Sequence, residues 1–356
     1  RLTYIKTPKL VKKIVKIIII CSSTIFLVLS LFLTYALPVF KLPKTTGQHE
    51  VGVKYIHLVD KTRNDPFLKK GTQKRELMVK VYYPAKKDET KPYSIYFQSS
   101  KFVKLFSKFY HMPEFVFQQL NLVKTNSKED LQVSDKEQNY PVILFSHGAG
   151  TTMEVHTSQS EDLASNGYIV VAIEHTFVSS GTVFPKKVVS QMDATKEFDT
   201  PEPARIITQI MAEDSKFVID SLSKINEGKI VSTFKGKLNI NEIGTVGHSV
   251  GGAVAYNLAI NDKRIKAAID LDGVVYITPK KDSSNMAPFL MLANDKYHVQ
   301  AIQNHEPLMP NYEDLKGIDK DIALSNYGSE KNYNENYKFK SKGKKDESRH
   351  CRRKWL

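Results

Sequence analysis

Glu242-Ile243-Gly244-Thr245-Val246-Gly247-His248-Ser249-Val250-Gly251-Gly252-Ala253-Val254-Ala255-Tyr256-Asn257-Leu258-Ala259-Ile260 is the stretch on which the fold turns. Glu242–Val246 reads as a short buried strand. Gly252–Ile260 reads as a small-residue helix ending near Asn261-Asp262. Between them lies Gly-His-Ser-Val-Gly, a Gly-x-Ser-x-Gly pentapeptide. By itself that motif arises by chance as a glycine-rich turn; with a strand before it and a helix after it, it is a nucleophile elbow. The serine sits on a strained turn, flanked by glycines because a Cβ at either position would meet the neighbouring strand or helix. The turn lifts the serine oxygen above the sheet and points the helix N-terminus at a developing oxyanion.

Working outward, the chain becomes regular from Pro141. Val142-Ile143-Leu144-Phe145-Ser146 is an apolar strand leading into His147-Gly148-Ala149-Gly150. A helix through Ser160–Ala164 ends at Asn166-Gly167, and Tyr168–Ile173 is the next strand. Residues 202–226 read as a long helix. After the elbow come the strands Ala267–Leu271 and Pro288–Leu292. Strands that are continuous apolar runs, alternating with helices, predict a mostly parallel sheet covered on both faces. Upstream, Val53–Val59 and Glu76–Tyr83 have strand character, the second stopping at Pro84. Residues 92–139 break the rhythm: Phe102, Leu105, Phe106, Phe109, Tyr110, Phe115, Val116, Phe117 and Leu120 recur at helical spacing among lysines. A core helix and a lid or membrane-contacting insertion over the site are both expectations for this segment.

The 356 residues, 41% hydrophobic and 25% charged, are enough for one large α/β core. The net charge of +14 is concentrated at the ends. Residues 1–16 carry Arg1, Lys6, Lys9, Lys12, Lys13 and Lys16 and no acid, whereas residues 331–356 hold ten Lys or Arg against Glu335, Asp346 and Glu347. The body between them is nearly neutral, and no nucleic-acid partner is expected. Cys21 and Cys351 cannot form a useful internal staple, and neither has neighbours at metal-ligand spacing; serine-based acyl transfer needs no metal or organic cofactor, and none is expected. An exported chain without disulfides fits a bacterium lacking an oxidising periplasm.

Ile17–Phe40 is 24 residues without a charge, about 36 Å as a helix and enough for a bilayer core of about 30 Å. Basic residues before it would keep that end cytoplasmic and place the remainder outside. The run exceeds a usual signal-peptide core, which favours a retained single-pass anchor. The alternative is a secreted protein, cleaved after the small residues of Thr34-Tyr35-Ala36. Leu42-Pro43-Lys44-Thr45-Thr46-Gly47 is read as linker. The expected organisation is a basic stub and membrane helix over 1–40, a linker over 41–52, a catalytic domain over 53–325 and a polar basic tail over 326–356.

A serine nucleophile at such an elbow needs an acid and then a histidine later in the chain. Asp272 and Asp295 both lie at strand ends after Ser249, and topology alone leaves both open. Phe145-Ser146-His147-Gly148-Ala149-Gly150, Asp162-Leu163-Ala164-Ser165-Asn166-Gly167-Tyr168 running on to Glu174-His175, Gly247–Gly252 and Asp270-Leu271-Asp272-Gly273 together resemble the platelet-activating-factor acetylhydrolase family of α/β-hydrolases. The similarity covers roughly residues 48–295. It implies an α/β-hydrolase fold, the second aspartate of the Asp-Leu-Asp-Gly segment (Asp272) as the acid, and buried structural support from Asp270. It further implies an oxyanion hole from the amides of Ala149 and Val250, and hydrolysis of short-chain or oxidised acyl esters, including lipid esters.

The base is the weak point. His147 and His248 fall within backbone motifs where loop shaping is expected, and His175 at a strand end reads as structural. Only His298, His305 and His350 follow Asp272. His298 comes too soon for a further strand to intervene, and His305 sits in a polar loop. His350 lies at the right distance, with no strand before it, and becomes the base only if the tail folds back on the sheet. The closing strand, glycine loop and histidine typical of the family are absent, so a truncated or frame-shifted C-terminus is an expectation here. The rivals to a serine esterase are a catalytically impaired membrane-tethered binding protein and a peptidase or amidase on the same triad.

Overall fold

A computed structural model of the chain describes residues 9–69, 73–97, 99–194, 203–273, 286–292, 312–314, 320, 331 and 334. Alternation of side chains along three strands builds the centre. Leu77, Val79, Val81 and Tyr83 point to one face of the sheet, and Met78, Lys80 and Tyr82 to the other, all on β2 (Lys74–Ala85). β5 (Tyr140–Ser146) and β6 (Ile169–Glu174) divide in the same way, Val142 and Leu144 opposite Ile143 and Phe145. A period of two with both faces apolar is what a sheet between two helical layers requires.

The remaining strands are β1 (Glu50–Asn64), β3 (Tyr93–Ile95), β4 (Lys124–Glu129), β9 (Leu238–His248), β10 (Ile265–Leu271) and β11 (Phe289–Leu292), with a separate hairpin of β7 (Gly181–Val183) and β8 (Val188–Ser190). The nine-stranded sheet runs β11-β10-β9-β5-β6-β2-β1-β4-β3. Pairing is parallel from β6 through β5, β9 and β10 to β11, and antiparallel at β2–β6, β1–β2 and β3–β4. This is the mostly parallel α/β-hydrolase sheet that the sequence predicts. β2 ends one residue past Pro84 rather than at it. Proline lacks only the N–H, and its carbonyl still accepts from Ser134 N at 2.8 Å.

Six helices complete the described fold: α1 (Lys9–Ala36), α2 (Ser100–Phe109), α3 (Phe115–Gln118), α4 (Thr157–Ser165), α5 (Pro203–Asn226) and α6 (Val250–Asn261). Met211, Val218 and Leu222 of α5 and Val254 and Leu258 of α6 join the cluster on the Leu77 face. Ala164 of α4 joins the cluster on the Met78 face. α1 buries none of its side chains and is long and apolar enough to cross a membrane, consistent with a span or a signal.

Residues 42–49 lie strapped along the body. Thr46 donates from its N–H and Oγ1 to Asp162 Oδ1 at 2.7 and 2.9 Å, Gly47 N–H to Ser165 Oγ at 2.9 Å, and His49 N–H to Ser165 O at 3.0 Å. Asn126 Nδ2 donates to Pro43 O at 2.8 Å. Within 92–139 the helical spacing resolves into two faces. Phe102, Val103 and Phe106 of α2 close an aromatic cluster with Tyr96, Phe97 and Val123, while Tyr110, Met112, Phe115 and Leu122 are exposed. β3 and β4, absent from the sequence reading of this segment, add two edge strands.

A charge network lies between β2 and α5. Arg75 Nε and Nη2 donate to Asp214 Oδ1 and Oδ2 at 3.1 and 2.7 Å, and Nη1 donates to Asp65 Oδ2 at 3.1 Å and Thr176 O at 2.9 Å. Arg75 and Asp214 are fully buried. Burial alone would raise the Asp214 carboxyl, but the Arg75 charge beside it holds it well below the usual carboxylate range. Removing one partner leaves the other buried and unpaired. Arg75→Met should therefore destabilise the fold by about 3–5 kcal/mol, read as a lowered midpoint in urea unfolding.

Candidate active site

The elbow is built where β9 meets α6. Ser249 adopts φ 55°, ψ −123°, the strained left-handed turn of a nucleophile elbow. A Cβ on Gly247 would overlap the carbonyl of Gly251, and one on Gly251 would overlap the Ser146 carbonyl at the end of β5. The flanking glycines are thus required by helix and strand respectively, as the sequence suggests. Ser249 N–H donates to Leu271 O at 3.0 Å, and Ser249 O caps α6 by accepting from Gly252 and Ala253 at 2.8 and 3.3 Å. The turn is tied to β10 on one side and to its own helix on the other.

β9 and β10 pair in parallel with His248 opposite Leu271, so Asp272 is the residue beyond the strand end next to the nucleophile. Asp272 is exposed, has φ 59°, and donates its N–H to Leu292 O at 2.8 Å. Asp270 is fully buried; its Oδ1 accepts from Gly273 N at 2.7 Å and fills the space where a Gly252 Cβ would lie. That is a supporting position. Asp295, His298, His305 and His350 lie outside the described residues.

The His147–Gly150 loop follows β5 and lies flush against the serine: a Cβ on Gly148 would be 3.1 Å from Ser249 Cβ. Ala149 is exposed and Val250 buried. Among the described residues, no hydrogen bond engages the N–H of either. Two unspent amides beside a strained serine are free to donate to an anionic oxygen there. The end of α2 walls this loop: Tyr110 Oη donates to Gly150 O at 3.1 Å, and Phe109 touches Gly150.

Behind the loop lies a hydrogen-bonded chain that sequence reasoning missed. His175 Nδ1 donates to Asp214 Oδ2 at 3.1 Å, and Ser146 Oγ lies 3.2 Å from His175 Nε2, placing Ser, His and Asp in line. All three are buried, so this chain supports the site from within. Burial pushes His175 down to about 4 against the pull of Asp214. His156, stacked on Phe145 with ring centroids 4.7 Å apart, is also buried, and neither ring nitrogen has a hydrogen-bond partner. Burial, then the neighbouring His248 and His147, lower it to about 3. The one sequence signal was histidine density around two glycine loops, which pattern reading assigns to loop shaping.

Both histidines stay neutral in the fold but protonate near pH 6.5 when unfolded. The unfolded chain then binds more protons, so stability is full above about pH 6.5 and falls as pH drops toward 4, by about 1.4 kcal/mol per pH unit for each. His156→Phe, which loses no hydrogen bond, should flatten that fall by about one histidine's share, seen as a weaker dependence of Tm on pH between 6.5 and 4.

Comparison with known proteins places the chain beside one family of esterases. The family model described as "Platelet-activating factor acetylhydrolase, isoform II" matches residues 36–318. A platelet-activating factor acetylhydrolase from Cavia porcellus is 23% identical over 283 residues, covering 73% of this chain and 62% of that protein. One from Canis lupus familiaris is 24% identical over 259 residues, covering 65% and 55%. The chain thus spans less than two thirds of the length of these two curated relatives. Among solved structures, a ferulic acid esterase from Streptomyces cinnamoneus superposes with a TM-score of 0.60 at 24% identity, covering 79% of this chain and 75% of that one. This last likeness speaks to the fold.

Proposed function

The chain belongs to the platelet-activating factor acetylhydrolase isoform II family, and from that premise we propose that it is a serine-dependent carboxylic ester hydrolase. In this reading Ser249 attacks the ester carbonyl, the amides of Ala149 and Val250 hold the oxyanion, and the alcohol leaves. Water then hydrolyses the acyl-enzyme. Asp272 orients the histidine, and His350 is the base assigned by its place in the order nucleophile, acid, histidine. The observation that carries the reading is the elbow itself: Ser249 at φ 55° between two glycines that admit no Cβ, beside two unspent amides.

The substrate we propose is a short-chain or oxidised acyl ester, including one on a phospholipid. The family supports it, and so do the exposed apolar residues Tyr110, Met112 and Phe115 that follow the helix walling the site. α1, in a bilayer, would hold the body beside such substrates on the extracellular side.

A fluorophosphonate probe should label the wild-type protein and fail to label Ser249→Ala; an unlabelled wild type would sink the esterase reading in favour of a binding protein. Hydrolysis of p-nitrophenyl acetate against peptide substrates separates esterase from peptidase, with the ester expected to turn over.

Loss of Asp272 should lower kcat by roughly 10⁴-fold, as loss of the orienting acid does in related triads. His350→Ala should lower kcat further, by roughly 10⁶-fold, with His298→Ala and His305→Ala near wild type. Full activity in His350→Ala would move the base to another histidine.

A further inference from the structure

The Gly148 carbonyl and the Ala149 N–H belong to one peptide unit. There are no cis peptides among the described residues, so the two groups point in opposite directions. Whatever holds the carbonyl therefore aims the N–H. Gly148 O faces three donors: His147 Nδ1 at 2.7 Å, Thr151 Oγ1 at 2.9 Å and Thr151 N–H at 3.2 Å. A carbonyl oxygen has two lone pairs, so its accepting capacity is saturated. The N–H on the opposite edge is left unspent.

We propose that His147 is a positioning residue that clamps the Gly148–Ala149 peptide in the orientation that makes Ala149 N–H an oxyanion donor, an inference that rests on the esterase reading above. The state of the ring follows from its partners. Gly148 O can only accept, so Nδ1 carries a hydrogen. Nε2 accepts the His175 backbone N–H at 3.1 Å. Glu174 Oε1 lies 3.3 Å from Nε2. His175 is anchored in turn by Asp214, and Asp214 by Arg75. A line of buried hydrogen bonds thus runs from β2 and α5 to one peptide plane beside the nucleophile. Without it, rotation of that plane would present a carbonyl where the oxyanion forms, exchanging a donor for an acceptor.

The test uses Ser249-dependent turnover of p-nitrophenyl acetate together with Tm. His147→Phe keeps a buried ring without a donor. His147→Asn returns an amide N–H near the Nδ1 position but cannot reach the His175 N–H. Thr151→Val, at a half-buried position, removes the second side-chain donor. The expected result is a fall in kcat of about 10- to 100-fold in His147→Phe with KM within about twofold, since misaiming a donor costs somewhat less than deleting one. His147→Asn should recover most of kcat while its Tm stays as low as that of His147→Phe, a split that a space-filling role would not produce. Thr151→Val leaves His147 Nδ1–H and the Thr151 N–H on the two lone pairs, so its kcat should stay near wild type; His147→Leu, which also lacks a donor, carries the test if His147→Phe does not fold. Full kcat in a folded His147→Phe or His147→Leu overturns the clamp, as does an Asn variant as slow as the Phe variant or a loss in Thr151→Val as large as that in His147→Phe; any of these leaves the esterase reading standing. A wild type without Ser249-dependent turnover overturns both.

Discussion

The closeness with which α6 crosses the ends of β9 and β5 is the constraint on which everything else depends. Gly247 faces the Gly251 carbonyl, Gly251 the Ser146 carbonyl, and Gly252 the Asp270 carboxylate, each with no room for a Cβ. The obstacles at the first two contacts are main-chain atoms, so no change of rotamer could relieve a substitution there. The approach brings the start of an α-helix, with its unpaired amides and favourable dipole, directly beneath the serine. It also sets the His147–Gly150 loop against the nucleophile, because that loop leaves the same strand end that α6 touches. The proposed nucleophile, oxyanion donors and acid all follow from one crossing.

A second layer keeps that crossing in register. Placing Arg75, Asp214 and Asp65 inside the protein costs several kcal/mol of desolvation for each ion. The cost is offset because every nitrogen of the Arg75 guanidinium donates to an acceptor, and Arg63 adds a further donor to Asp214 Oδ1 at 2.9 Å. Hydrophobic residues of similar volume could fill the same space, but they would not fix a direction. The network joins β2, α5, the β6 end and the site loop through hydrogen bonds, which are angular, where packing alone would tolerate small rotations.

The sequence made the centre of the fold legible and left its margins obscure, for physical reasons. Apolar runs such as Val142–Phe145 and Ile169–Ile173 announce strands buried on both faces, and Gly-His-Ser-Val-Gly announces its own turn because sterics allow few alternatives. β3 and β4 were hidden because Lys124–Glu129 is polar and its pairing is set by neighbours far along the chain. The Ser146–His175–Asp214 chain was hidden because its members are 29 and 39 residues apart and no local pattern marks them. Residues 42–47 read as linker by composition; the groups that fix them, Asp162 and Ser165, lie more than a hundred positions away.

That strap has a mechanical meaning. Leu37 N–H closes the last turn of α1 on Leu33 O at 2.9 Å, and Phe40 already rests edge-on against Tyr96, ring centroids 5.8 Å apart. Only Pro38 and Val39 lie between helix and body, about 7 Å of chain at full extension. With α1 in a bilayer, the body would have no slack to tumble on. It would swivel about a short stem and meet substrate by gliding within one leaflet, so its working concentration would be counted per area of membrane rather than per volume of solution.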